Sequence, residues 1–189
     1  MEILITSQSV IKYKAVLESF KALNLSISMI TLVNVDSKKC NNPEQPVNSG
    51  EQCALNRLYG LNCDISKYDY IISIENWINI DKDVCEDMCT VLIYSPKKSE
   101  CSIVNSYPIN VNIKYYNAAK NKSEEDLYKS EYGLKYTIGQ MIHDEFPNIP
   151  SDNWMSDTQF GGIDRVDQIK DTIIRIFKNH DISYVSKVF

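Results

Sequence analysis

Two spacings of apolar residues alternate along the first half of this chain. Short apolar runs rich in Ile, Val and Leu are typical of buried strands, whereas apolar residues that recur every three or four positions are typical of helices with one buried face. Further strand-like runs cluster in the middle of the chain, and the clearest helical spacing lies near its end. The predicted strands cover 2–6, 28–35, 68–75, 90–95 and 101–111, and the predicted helices cover 10–23, 51–61, 136–146 and 164–179.

This order of elements predicts a mixed α/β fold with a long central sheet flanked by helices. The 189 residues fit one domain, 1–189, with enough length to bury a core. The strands at 90–95 and 101–111 are candidates for pairing across the turn-forming segment 96–100. Ser9 is the expected N-cap of the first helix.

Two segments lack a clear pattern. Residues 36–50 carry Asn, Pro and Gly without periodicity, which predicts a loop. A loop of this length inside a compact domain is often functional. Residues 116–132 are polar, and a solvated helix and a mobile excursion fit them equally well.

Composition argues against several classes of protein. A formal net charge of −5 disfavours a general nucleic-acid binder, which normally shows a basic face. No apolar run approaches the roughly 20 residues of a membrane span. The start of the chain lacks the basic residues and the cleavage site of a signal peptide. We therefore expect a protein of the reducing cytoplasm, without membrane contact, whose six cysteines remain thiols.

Candidate chemistry is concentrated between the long loop and the strand that follows it. Glu75 ends the predicted strand 68–75, where a buried carboxylate is costly without a partner. Mg²⁺ is a suitable partner because it takes oxygen ligands and bridges to phosphates. Arg57 lies on the preceding helix, and Lys12 lies one turn into the first helix, where the helix amides also favour an anion. A surface arginine and a solvated lysine are the alternative interpretations of these two residues.

Several short motifs occur in the same order as in one enzyme family. They are Lys12 after a strand-to-helix turn, Gln45-Pro46 before the second helix, Asn56-Arg57 within it, and Glu75 at a strand end. In this arrangement the chain resembles the inosine/xanthosine triphosphatase family, which hydrolyses non-standard purine nucleoside triphosphates. Further motifs match in order at Tyr107-Pro108, Ile138-Gly139, Gly161 and Arg165.

The resemblance implies an ITPase-like fold with two lobes and a cleft between them, and a homodimer. It implies hydrolysis of ITP or XTP to the monophosphate and pyrophosphate, with Mg²⁺ or Mn²⁺ as the cofactor. Glu75 is the implied catalytic residue, which binds the metal or the attacking water, and Glu51 is a second candidate metal ligand. The implied substrate contacts come from Ser9, Gln45 and Asn56, and from Lys12, Arg57 and Arg165, which are assigned to the phosphates.

The chain also departs from the family pattern. Ser9 replaces an Asn, Trp77 replaces the Gly that follows Glu75, and Asn79 replaces a second acid. Trp77 could line the cleft or point into the core. Residues 153–159 lack the glycines of the family's glycine-rich strand. These changes favour an alternative interpretation, in which the fold persists as a nucleotide-binding or protein-interaction module without catalysis.

Overall fold

The computed structural model describes residues 1–35 and 40–178, and the backbone of residues 183 and 184. Within these residues the chain forms nine strands and five α-helices. The strands are β1 Glu2–Ile5, β2 Met29–Leu32, β3 Gln45–Pro46, β4 Tyr70–Asp81, β5 Val84–Ser95, β6 Glu100–Asn105, β7 Ile109–Asn110, β8 Gly133–Leu134 and β9 Ser183–Tyr184. The helices are α1 Val10–Ala22, α2 Gly50–Tyr59, α3 Ile113–Glu125, α4 Ile138–Glu145 and α5 Arg165–Phe177.

A mixed sheet of seven strands forms the centre of the described molecule. β2, β1 and β4 are parallel neighbours, and β5, β6 and β9 continue the sheet through antiparallel pairs. β7 pairs with β5, whereas β3 and β8 form a separate two-stranded sheet. The predicted mixed α/β fold with a central sheet flanked by helices is confirmed, and so is the pairing of β5 with β6.

Helices cover both faces of the sheet, because its central strands carry apolar side chains on both sides. α1 and α5 pack against one face, where Phe20 and Ile173 belong to one buried cluster. α2 packs against the other face through Leu58. α3 and α4 form a third cluster with the outer end of the β4–β5 hairpin, around Ile78 and Ile142. The outer hairpin is therefore packed against its own set of helices.

The β4–β5 hairpin is longer than the sequence predicts. We expected the first strand to end at Glu75 and the second to begin at Thr90, but pairing continues out to Asp81 and Val84. The added segment carries Asn, Asp and Glu at several positions, which masks its strand character because these residues are uncommon in strands. Glu75 consequently lies in the middle of β4 and not at its end.

The edge of β4 that faces β1 changes neighbours along its length. β1 pairs with β4 up to Ile72. Farther along, the loop residue Asn48 forms hydrogen bonds with the same edge. Its main-chain N donates to the Ile78 carbonyl at 2.9 Å, its Nδ2 donates to the Ile80 carbonyl at 3.0 Å, and its Oδ1 accepts from the main-chain N of Ile80 at 2.7 Å. Among the described residues no strand pairs with this edge between those points, which leaves a gap around Ile74 and Asn76.

The predicted strand 101–111 is divided into β6 and β7, whereas most other predicted elements agree with the structure to within a few residues. Helix α3 occupies much of 116–132, which decides between the two alternatives for that segment. β3 interrupts the predicted loop 36–50. Residues 36–39 of that loop lie outside the described residues, and so does residue 179, the predicted end of the last helix. None of the described helices has the length and apolarity that crossing a membrane requires.

Trp77 packs directly on the first residue of α2. It is 9% exposed, and a Cβ added to Gly50 would lie only 2.2 Å from Trp77 Cδ1. A glycine at position 50 therefore allows the helix to begin against the indole ring. Trp77 is therefore a buried side chain between β4 and α2, which agrees with the expectation that it points into the core.

We expect Gly50→Ala to destabilise the protein by about 1–3 kcal/mol, because the new methyl group overpacks this contact. In a Trp77→Leu background the same substitution should cost much less, since the smaller side chain leaves room for it. Urea unfolding of the wild type, both single variants and the double variant measures the difference. Equal costs of Gly50→Ala in the two backgrounds would show that Trp77 does not select the glycine.

Candidate functional site

Glu75 is a buried carboxylate on the part of β4 that extends beyond β1, and it is 3% exposed. Its side chain lies on the sheet face that α2 covers, where Ser73 also donates to the carbonyl of Ala54 at 2.8 Å. Arg57 of α2 binds both carboxylate oxygens, with Nε donating to Oε2 at 2.7 Å and Nη2 to Oε1 at 3.2 Å. A two-point contact of this kind fixes the orientation of both side chains.

Lys12 approaches the same carboxylate from α1. Its Nζ donates to the carbonyl of Ile74 at 2.7 Å, in the gap along the edge of β4, and lies 3.5 Å from Glu75 Oε2. The side chain is 11% exposed, so Lys12 is a buried residue and not the solvated lysine of the alternative interpretation. Burial lowers the pKa of Lys12, and the Glu75 carboxylate opposes that shift.

Asn42, which the sequence analysis did not single out, also contacts Glu75. Its Nδ2 donates to the carbonyl of Cys53 at 2.9 Å and to Glu75 Oε1 at 3.5 Å. Its Oδ1 accepts from Asn56 Nδ2 at 3.0 Å. The predicted substrate-binding residue Asn56 is thus linked to the carboxylate through Asn42. The sequence feature that could have identified Asn42 as a site residue is its position in the long loop, just before Gln45.

Arg165 forms a second buried ion pair, with Asp87 of β5. Both residues are 4% exposed. Arg165 Nη2 donates to Asp87 Oδ2 at 2.9 Å, while Nη1 donates to Asp87 Oδ1 and, at 2.7 Å, to Gln168 Oε1. Arg165 is therefore held by Asp87, whereas the other two predicted phosphate ligands converge on Glu75. Asp87 is not among the predicted site residues, because it lies outside the predicted strand 90–95.

A cleft of about 280 Å³ lies beside this second ion pair, lined in part by Gln45, Asn76, Asp87 and Arg165. Gln45 is anchored in its wall, because its Oε1 accepts from the main-chain N of Ile138 at 3.1 Å. The side-chain oxygen of Asn76 is buried and has no hydrogen-bond partner among the described residues. A buried acceptor without a partner is costly. The wall of the cleft therefore contains an acceptor whose hydrogen bonding is not satisfied.

Two further predicted site residues lie apart from Glu75. Glu51 is exposed at the start of α2, where its Oε1 accepts from Asn105 Nδ2 at 3.2 Å. It lines a different hollow, of about 730 Å³, beside Trp77. Ser9 is the N-cap of α1 as predicted, with its Oγ accepting from the main-chain N of Lys12 at 3.4 Å. Its hydroxyl group therefore marks the start of the helix that carries Lys12.

The contacts around Glu75 do not fit a resident divalent cation. A carboxylate has about four acceptor positions, and Arg57, Lys12 and Asn42 approach both oxygens. The two cationic side chains would also repel a metal ion. The described part of the chain contains no group of three His, Cys, Asp or Glu side chains placed to hold one. The same two cations favour an anion instead.

Two of the thiols near this cluster, those of Cys53 and Cys89, are poor nucleophiles. Burial raises the pKa of Cys89 to about 12 and that of Cys53 to about 11. The thiolate is the reactive form of cysteine, so neither residue is activated at neutral pH. The chemistry of the site is therefore that of its charged and amide side chains.

Comparisons with known proteins identify a structural neighbour. No protein-family model and no curated protein matches the chain. The crystal structure of protein VC0702 from Vibrio cholerae is similar over 94% of this chain and 95% of its own, with a TM-score of 0.70 and 16% sequence identity. A likeness at this level of identity concerns the fold, and function has to be argued from the site.

The buried Lys12 predicts a specific pH dependence. Its pKa in the folded protein is lowered from 10.5, so at this site the unfolded chain binds more protons in the interval below that value, and the contribution of Lys12 to the free energy of unfolding rises with pH there. We expect the wild type to gain stability relative to Lys12→Met as the pH rises toward 10.5. Urea unfolding of both proteins across this interval provides the measurement, and a constant or falling difference would contradict the prediction.

The Asp87–Arg165 pair predicts strong coupling. Asp87→Leu should cost about 3–5 kcal/mol, because it leaves a buried arginine without a counterion, and adding Arg165→Leu should restore most of that loss. Urea unfolding of the two single variants and the double variant measures the coupling. Asp126→Leu, which removes an exposed partner of Lys135, is the matched control and should cost far less. Additive losses would argue against a buried, mutually dependent pair.

Proposed function

We propose that this protein hydrolyses purine nucleoside triphosphates to the monophosphate and pyrophosphate, with ITP and XTP as preferred substrates. The observation that carries the proposal is the convergence of Lys12 and Arg57 on the buried carboxylate of Glu75. The motif resemblance to inosine/xanthosine triphosphatases supplies the substrate class. On the same resemblance we propose the two-lobed, ITPase-like form of the α/β fold and a cytoplasmic homodimer.

The phosphate chain is assigned to the two cations. Lys12 and Arg57 carry two positive charges and Glu75 carries one negative charge, so the cluster attracts an anion. Lys12 belongs to the first turn of α1, whose start is marked by the Ser9 hydroxyl, and a helix start favours phosphate. Mg²⁺ or Mn²⁺ enters this proposal as part of the substrate, bound to the phosphates as they arrive, and no side chain of the protein is assigned to it.

The chemical step is the attack of water on the α-phosphorus. A bond forms from the water oxygen to that phosphorus, the bond to the bridging oxygen breaks, and pyrophosphate leaves. Lys12 and Arg57 neutralise the charge on the phosphates, which is the main requirement of phosphoryl-transfer chemistry. As these cations turn to the phosphates, the carboxylate of Glu75 becomes available to orient the water and to accept its proton.

The nucleoside is assigned to the cleft beside the second ion pair. Gln45, Asn76 and Arg165 line this cleft with amide and guanidinium groups, which can form hydrogen bonds with a nucleoside. In this arrangement Arg165 serves the nucleoside end of the substrate. The resemblance implies Arg165 as a phosphate ligand, whereas its ion pair with Asp87 lies beside this cleft.

A module without catalysis is the second candidate. It is favoured by Trp77, which stands where the inosine/xanthosine triphosphatases have a Gly and which packs against Gly50, and by the complete set of contacts around Glu75. A carboxylate held in this way can organise an anion-binding site without activating water. This candidate would bind the triphosphate and leave it intact.

Pyrophosphate release from ITP, XTP, GTP and ATP, with Mg²⁺ and with Mn²⁺, tests the proposal. We expect release from ITP or XTP by the wild type and a loss of at least about 100-fold in Glu75→Gln, the scale of a general base. Glu86→Gln, which changes a strand carboxylate bonded to Asn79, is the matched control and should retain activity. No release by folded wild type, together with thermal stabilisation by a triphosphate, would support the module without catalysis.

A further inference from the structure

We propose that Asn42 is a positioning residue, which holds the carboxylate of Glu75 in place when the substrate draws Lys12 and Arg57 toward its phosphates. This inference rests on the proposed hydrolysis. It concerns a loop residue that belongs to none of the motifs in the sequence, and it assigns that residue a role in the reaction through its contact with Glu75.

The side chain of Asn42 is fully engaged in hydrogen bonds. It is 7% exposed, and its Nδ2 donates both to the Cys53 carbonyl and to Glu75 Oε1, at 2.9 and 3.5 Å. Its Oδ1 accepts from Asn56 Nδ2 at 3.0 Å. These contacts need a donor and an acceptor on one short side chain, which an amide provides and a carboxylate does not.

The amide contacts continue along one face of α2. Asn56 Oδ1 accepts in turn from Gln52 Nε2 at 2.8 Å, one turn earlier in the helix. The carbonyl of Cys53, which Asn42 also binds, belongs to the same helix. Asn42 is therefore fastened to the main chain and to a side chain of α2, and its position does not depend on Glu75.

Charge distinguishes Asn42 from the other partners of Glu75. Lys12 and Arg57 are cations, and a polyphosphate competes with the carboxylate for both. Asn42 is neutral, so the phosphates exert little pull on it, and its bond to Oε1 remains while the cations move. The carboxylate is thereby kept in the orientation that the attack of water requires, and a small displacement of such a group slows catalysis strongly.

Steady-state hydrolysis of ITP by Asn42→Ala tests this role. We expect kcat to fall about 10-fold, the scale of one hydrogen bond to a charged group, while KM changes less than about twofold because Lys12 and Arg57 remain. Asn42→Asp keeps the shape but not the donor and should be at least as slow. Asn79→Ala, which removes an amide bonded to Glu86 on the outer hairpin, is the control with unchanged kcat and KM.

A double-mutant cycle in urea unfolding shows whether Asn42 acts through Glu75. We expect Asn42→Ala to shift the urea midpoint less in a Glu75→Gln background than in the wild type, because the contact is already altered there. Equal shifts in the two backgrounds, unchanged kcat in Asn42→Ala, or full activity of Asn42→Asp would each overturn the positioning role. Absence of hydrolysis by the wild type would instead overturn the proposed function, and the positioning role with it.

Discussion

One buried carboxylate, that of Glu75, sets the arrangement around it. A charge with 3% exposure persists in a protein interior only when compensating charges and dipoles accompany it. α1 supplies Lys12, α2 supplies Arg57, and the loop before β3 supplies Asn42. These side chains come from three different elements and share one acceptor. The interaction thus ties the start of the chain to the middle of the central sheet.

The topology of the sheet explains why the carboxylate is there. β1 stops at the level of Ile72, whereas β4 continues outward in its hairpin with β5. The edge of β4 is therefore without a strand partner around Ile74 until Asn48 restores pairing at Ile78. The ammonium of Lys12 binds the Ile74 carbonyl within this gap. The interrupted sheet edge thus explains how a side chain of α1 reaches the carboxylate of Glu75.

Two buried ion pairs with different surroundings divide the proposed site. Around Glu75 the cations outnumber the carboxylate, and in the proposed function this part of the site binds the phosphates. Arg165 and Asp87 balance each other in charge, and their cleft adds the amides of Gln45 and Asn76. Such a balanced pair does little to attract charge but fixes the shape of the cleft wall. In the proposed function the cluster around Glu75 would thus bind the phosphates, and the cleft beside the Asp87–Arg165 pair would recognise the nucleoside.

Local patterns were sufficient for most of the longer strands and helices and for several charged residues of the candidate site. Runs such as Ile3 to Ile5 and the spacing of α5 depend on side-chain burial with a regular period, which the chain shows directly. The full length of the β4–β5 hairpin, the Asp87–Arg165 pair and the contact of Asn42 with Glu75 depend on partners far along the chain. Tertiary structure alone decided these, because a polar residue in a strand or loop reveals its role only through the group that it meets in space.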